Sequence, residues 1–147
     1  MNKRSETKGQ MQISFGTIFS IILIIAFIAF AIFGIGKLIG TMQYAKVESF
    51  KKDLQEAIDK QWQGEYGSVR VEYYLPKKIT KVCFTEDEFE NIYFLPLRSF
   101  DGGNLKHVDF SKTIPKNAEE VCANVYEGKL VLYLRKNSGE NLITIVR

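Results

Sequence analysis

His107 is the only histidine in the chain, and Asp109 follows it by two residues in the run Asn104-Leu105-Lys106-His107-Val108-Asp109-Phe110. A carboxylate can orient an imidazole for work as a base, but a hydrolytic triad also needs a nucleophile, and no G-x-S-x-G elbow occurs. On a strand the two side chains would share one face, and the plain reading is an exposed strand histidine. Glu86, Asp87, Glu88 and Glu90 gather enough carboxylates for a loose calcium contact, yet they lack the D-x-[DN]-x-[DN]-G pattern of a calcium loop. They read as a solvated acidic turn. Asp101-Gly102-Gly103-Asn104 is neither G-x-G-x-x-G nor a Walker loop, so it reads as a turn and not as a phosphate cradle. No catalytic residue, cofactor site or metal site emerges from these fragments, and an enzyme is the least favoured class of function.

Cys83 and Cys122 each follow a valine within a stretch that reads as a strand. They form a candidate disulfide whose loop of about 40 residues would stabilise by roughly 4 kcal/mol in the chain-entropy model. The alternative is a pair of buried free thiols acting as small hydrophobes. Without a C-x-x-C spacing, and with one histidine, the pair argues against zinc. Trp62, Tyr73-Tyr74 and Tyr93-Phe94 could form an aromatic surface for a partner, but aromatic residues at strand and helix spacing more often belong to a core.

Groups of this kind are held by folded elements, and one segment governs how those elements are presented. From Ile13 to Ile35 only Ser14, Gly16, Thr17, Ser20 and Gly34 interrupt a run of Ile, Leu, Phe and Ala, and no charge occurs between Lys8 and Lys37. A helix of about 23 such residues reaches roughly 35 Å, enough to cross a bilayer. The hundred residues that follow could not wrap a helix that is apolar on every side. A cleavable export signal is the competing reading, with Ala29-Phe30-Ala31 as its small-residue site, but the apolar run continues past that site through Ile35. The expectation is a retained anchor.

The organisation is therefore a basic tail over 1–12, a transmembrane helix over 13–39, an amphipathic stem helix over 41–64 and a β-rich domain over 67–147. Lys3, Arg4 and Lys8 precede the span, and Lys37, Lys46, Lys51 and Lys52 follow it, so charge alone does not orient it. The short basic tail and the cysteine pair favour a cytoplasmic N-terminus and an extracytoplasmic C-terminal domain. Gly36 and Gly40 fit G-x-x-x-G, and Gly16 with Ser20 gives a second small-residue pair, a spacing that allows close helix–helix contact. The alternative is that these glycines mark a flexible exit from the membrane.

In the stem, Val47, Phe50, Leu54, Ile58 and Trp62 recur at steps of three and four among charged residues, leaving an apolar stripe in need of cover. A sheet is the expected cover. "SVRVEYYL", "ITKVCF", "NIYFLPL" and "HVDF" read as strands. "VCANVY", "KLVLYLRK" and "NLITIVR", joined at Glu127-Gly128 and at Asn137-Ser138-Gly139-Glu140, read as an antiparallel meander. Leu130, Leu132 and Leu134 would meet the stripe, with Val131 and Tyr133 on the opposite face. The fold class is α+β: one transmembrane helix continuing into an amphipathic helix packed on a small antiparallel sheet.

The short basic leader, the Lys8-Gly9-Gln10 sequence, the uncharged apolar helix, its amphipathic continuation and a terminal antiparallel sheet together resemble the type IV pilin-like architecture, and the leader resembles that of archaeal prepilins. The resemblance implies that Gly9 precedes a processing cut and Gln10 becomes the mature N-terminus. It also implies that apolar stems pack together in a filament or pseudopilus. Ser14 stands at the fifth mature position, where pilins commonly carry Glu.

Charge excludes another class. The residues up to Lys37 carry the whole formal excess of +3, while from Tyr44 onward 16 basic residues are interleaved with 16 acidic ones. Phosphate-backbone binding needs basic side chains gathered on one surface, so nucleic acid is not an expected partner. The expected partners are membrane lipid and either a protein partner or further copies of the chain. The expected function is an anchored interaction or assembly module, with an accessory subunit of a larger membrane complex as the alternative.

Overall fold

The computed structural model describes residues 15–96 and 100–147 of the protein, and the chain divides into two compact units, with the second beginning at Thr41. The basic tail, Gly9, Gln10 and Ser14 lie outside the described residues. Helix α1 spans Phe15–Gln63. In the first unit every side chain from Phe15 to Ile39 is exposed, and this is the one helix among the described residues long and apolar enough to cross a membrane. The hydroxyl of Ser20 donates to the carbonyl oxygen of Gly16 at 2.8 Å, so the polar group in this apolar run is satisfied within the helix.

In the second unit α1 becomes amphipathic, and the change follows from its spacing. Val47, Phe50, Leu54 and Ile58 fall on one face at steps of three and four and are all buried. At about 1.5–3 kcal/mol per buried large apolar side chain, this stripe contributes several kcal/mol. The helix stops at Gln63 because Gly64 and Gly67 follow. Its last carbonyls are not left unmet: Lys136 Nζ donates to Trp62 O at 2.5 Å and to Gly64 O at 2.9 Å, a favourable placement for a cation at a helix C-terminus.

Among the described residues six strands follow: β1 (Gly67–Tyr74), β2 (Lys81–Thr85), β3 (Ile92–Leu95), β4 (Glu120–Asn124), β5 (Lys129–Lys136) and β6 (Thr144–Val146), with a short helix α2 (Phe110–Thr113) between β3 and β4. They make two antiparallel three-stranded sheets, ordered β1-β5-β6 and β3-β2-β4. The expected meander of the last three strands is thus divided. Strand β5 has two edges, and β1 and β6 occupy both, pairing Val71 with Leu132 and Leu134 with Ile145. Strand β4 pairs instead with β2, setting Cys122 opposite Cys83.

The turn at Glu127-Gly128 is present, with both residues at positive φ, and Tyr126 and Lys129 exchange backbone hydrogen bonds across it. Gly128 is needed there for two reasons. Its φ is +83°, and an added Cβ would lie 2.8 Å from the Leu75 carbonyl oxygen, whose residue also donates its N–H to Gly128 O at 2.7 Å.

Leu130, Leu132 and Leu134 are completely buried in one core with the α1 stripe, Val82, Phe84, Ile92, Phe94, Ile143 and Ile145. Phe50 packs in this core edge-to-face with Tyr73 at 5.0 Å and with Phe94 at 6.0 Å between ring centroids.

Candidate functional site

The stretch "HVDF" is not a strand. His107 takes a left-handed φ of 63°, Val108 makes a single parallel bridge to Ile143, and Asp109 caps α2 by accepting from Lys112 N. His107 and Asp109 therefore share no strand face. Ser111 Oγ donates to Asp109 at 2.6 Å and Lys112 forms an ion pair with it at 3.4 Å. These contacts hold the Asp109 carboxyl below the usual range, the Ser111 hydrogen bond first among them.

The partner of His107 is instead Asp59 on α1, at 2.8 Å from Nδ1. The imidazole lies flat against the Trp62 indole, with ring centroids 3.9 Å apart and planes 5° apart. One turn earlier, Gln55 grips the same loop. Its Oε1 accepts from Lys106 N at 2.8 Å, while its Nε2 donates to Lys106 O at 3.2 Å and to Asp59 Oδ1 at 2.8 Å. Gln55, Asp59 and Trp62 fall on one helix face at i, i+4 and i+7, so a single edge of α1 clamps residues 106 and 107. The hydrogen bond to His107 is the main cause that lowers the Asp59 pKa, followed by that to Gln55, both opposed by desolvation. In chemical terms the carboxylate orients the imidazole, the indole covers its face, and Ser111 is committed to Asp109.

A second cluster forms on the face of β3-β2-β4 that points away from the core. Tyr93 lies opposite Cys83, and Cys83 opposite Cys122, so the three side chains form one row, while Val82 and Phe84 point into the core on the other side. The cysteines are joined by a disulfide, with Cα atoms 4.0 Å apart. Glu120, two residues before Cys122, shares this face. Its Oε2 accepts a hydrogen bond from the Tyr93 hydroxyl, and its Oε1 lies 3.9 Å from Cys122 Sγ. The Tyr93–Glu120 contact crosses the central strand, where Cys83 is completely buried. Burial, and then the neighbouring carboxylate, push the Tyr93 pKa up to about 12.

The acidic turn and the glycine turn meet. Asp87 Oδ1 accepts from the backbone N–H groups of Phe89 and Glu90 at 2.8 and 2.9 Å, and these bonds, that from Glu90 first, keep its carboxyl below the ordinary range. Glu90 Oε1 in turn accepts from Gly102 N at 2.9 Å, and a Cβ at Gly102 would collide with that carboxylate and with the Ile92 carbonyl. Buried Asn91 completes the arrangement, exchanging hydrogen bonds with Leu105 N at 2.6 Å and Leu105 O at 2.9 Å. Lys51 on α1 donates to Gly102 O at 2.9 Å. Both turns thus fasten the 101–107 segment to β3 and α1.

Gly36 and Gly40 have no atom within 4 Å of where a Cβ would stand, apart from their own helix backbone and chain neighbours. Asp59, Gln55, Asn91 and the Tyr93–Glu120 pair were not evident as site residues from the sequence. Trp62, expected as the last residue of the apolar stripe, is instead exposed and stacks on His107; the position of Gln55 and Asp59 beside that stripe was the available signal for these two. Comparison with protein-family models, with curated proteins and with solved structures gave no match.

Proposed function

We propose that this chain is a single-pass membrane-anchored module for interaction or assembly, with its disulfide-bonded β-rich domain on the extracytoplasmic side. One observation carries the reading: α1 leaves every side chain from Phe15 to Ile39 uncovered, whereas its later residues Val47, Phe50, Leu54 and Ile58 are built into a core. The uncovered apolar surface calls for lipid or for other helices. The disulfide supports the oxidising side of the membrane. The more specific form of the proposal is a pilin-like subunit, cut after Gly9, whose apolar helices associate in a filament or pseudopilus.

The test combines mass spectrometry of the mature N-terminus with protease accessibility in intact cells. A C-terminal domain digested from outside, on a chain that partitions with membranes through a high-salt wash, is the expected result. A mature chain beginning at Gln10 supports the pilin-like form, and an intact Met1 removes it. A soluble chain lacking residues 13–35 overturns the anchor. Stoichiometric copurification of a different membrane protein in mild detergent would move the assignment to an accessory subunit.

A further inference from the structure

The outward row on β3-β2-β4 contains a donor set as well as a disulfide. Cys83 Sγ, Cys122 Sγ and a Glu120 carboxylate oxygen lie within 4.8 Å of one another, on adjacent strands whose pairing holds their backbones in register. We propose that, once the bridge is reduced, Cys83, Cys122 and Glu120 form a three-ligand site for a borderline-soft divalent cation of the zinc class, so that bridge and metal are alternative occupants of one place. The inference stands on the geometry of this sheet and is independent of the membrane reading.

Two thiolates and one carboxylate suit such an ion, with a fourth position left to water. Metal–sulfur distances of about 2.3 Å at a tetrahedral centre put the two sulfurs roughly 3.8 Å apart. The Cα atoms of the two cysteines are 4.0 Å apart, and in the proposed reduced site the sulfurs reach that spacing by rotation about the two Cα–Cβ bonds. The Glu120 carboxylate is already divided between two tasks. Tyr93 holds Oε2, while Oε1 faces Cys122 at 3.9 Å. A ligating carboxylate is commonly oriented in this way by a hydrogen bond to its other oxygen. Cys83 is completely buried and Cys122 partly exposed, so the ion enters from the Cys122 and Glu120 side.

The chemistry balances with a dithiol as reductant. The dithiol supplies two electrons and two protons, becomes its own disulfide, and leaves Cys83 and Cys122 as thiols. The divalent cation then displaces both thiol protons to solvent and binds the two thiolates and the carboxylate. Reoxidation by a small-molecule disulfide, which takes up the two electrons and leaves as two thiols, re-forms the Cys83–Cys122 bond and releases the ion to solvent, because a disulfide offers no thiolate.

The test titrates Co2+, and then competing Zn2+, into the full chain in detergent after reduction and removal of the dithiol, reading thiolate-to-cobalt charge-transfer and tetrahedral d–d absorption. One ion per chain is expected, with no signal in the oxidised chain. Glu120→Gln weakens binding at least about tenfold, and Tyr93→Phe weakens it by roughly tenfold through loss of carboxylate orientation. Cys122→Ser abolishes the charge-transfer band at one equivalent. Absence of the band in the reduced wild-type chain overturns the proposal. So does equal affinity in Glu120→Gln, which would mean adventitious binding by two thiols; if that variant does not fold, unchanged affinity in Tyr93→Phe serves as the overturning result.

Discussion

At the scale of single residues the molecule uses its polar side chains mainly to fasten loops, and each such bond has a sign with pH. Asp59 has a lowered pKa, so its contribution is complete above the ordinary value of 3.8 and is lost as pH falls through the lower folded value. Its side chain is more than a third exposed, so solvent screening keeps Asp59→Asn to a loss of less than about 1 kcal/mol, measured by urea unfolding at neutral pH. The same variant should flatten the acid limb of the stability profile. Tyr93 and Tyr73 act in the opposite window. Burial raises both from 10.0 to about 12, so their contribution is complete below pH 10 and disappears as pH rises toward 12. Tyr93→Phe should make the alkaline decline of stability shallower, and an unchanged alkaline slope would refute the assignment. His107 was visible in the sequence as a lone histidine, but its partner was not. A left-handed backbone at residue 107 turns its ring toward α1, and nothing in the local pattern of "NLKHVDF" distinguishes that conformation from an extended one.

Among elements, what could be read in advance depended on how local the signal was. The helix stripe of Val47, Phe50, Leu54 and Ile58 was legible because its period is contained within one segment. The strands around Val82, Leu132 and Ile145 were legible as strands, and so was the antiparallel pairing of β5 with β6, but the partners of β1 and β4 were not. Alternation specifies which side chains face inward and not which neighbour they pair with, so three consecutive strands passed for one sheet. The completely buried Leu54 provides a test of the stripe. Leu54→Ala should cost about 2–5 kcal/mol in unfolding free energy, whereas Ile25→Ala, in the uncovered part of α1, should leave the denaturation midpoint of the second unit in place. The turns provide a second comparison. Gly139, at φ +81°, has open space around it, while Gly128, at φ +83°, is pressed against the Leu75 carbonyl. Gly139→Ala should cost roughly 1 kcal/mol for its backbone alone, and Gly128→Ala should cost distinctly more; equal losses would show that the close approach does not matter.

For the molecule as a whole, the stem helix shares one core with both sheets, while the bridge ties β4 to β2 within one of them. Replacing both Cys83 and Cys122 with Ser should lower stability by about 4 kcal/mol on the chain-entropy argument for a separation of 39 residues, read as a shifted denaturant midpoint with and without reductant. Chains begun at Thr41 should be soluble and folded, whereas chains begun at Glu65 should aggregate, because they lose the four buried residues that α1 brings to the core. Gel filtration separates the two outcomes. The order β1-β5-β6 also carries a consequence for biosynthesis. Its middle member, Lys129–Lys136, is made about sixty residues after its neighbour β1. Until then the greasy side of the stem has no leucine row to lie on, and exposed apolar surface of that kind favours aggregation in an incomplete chain.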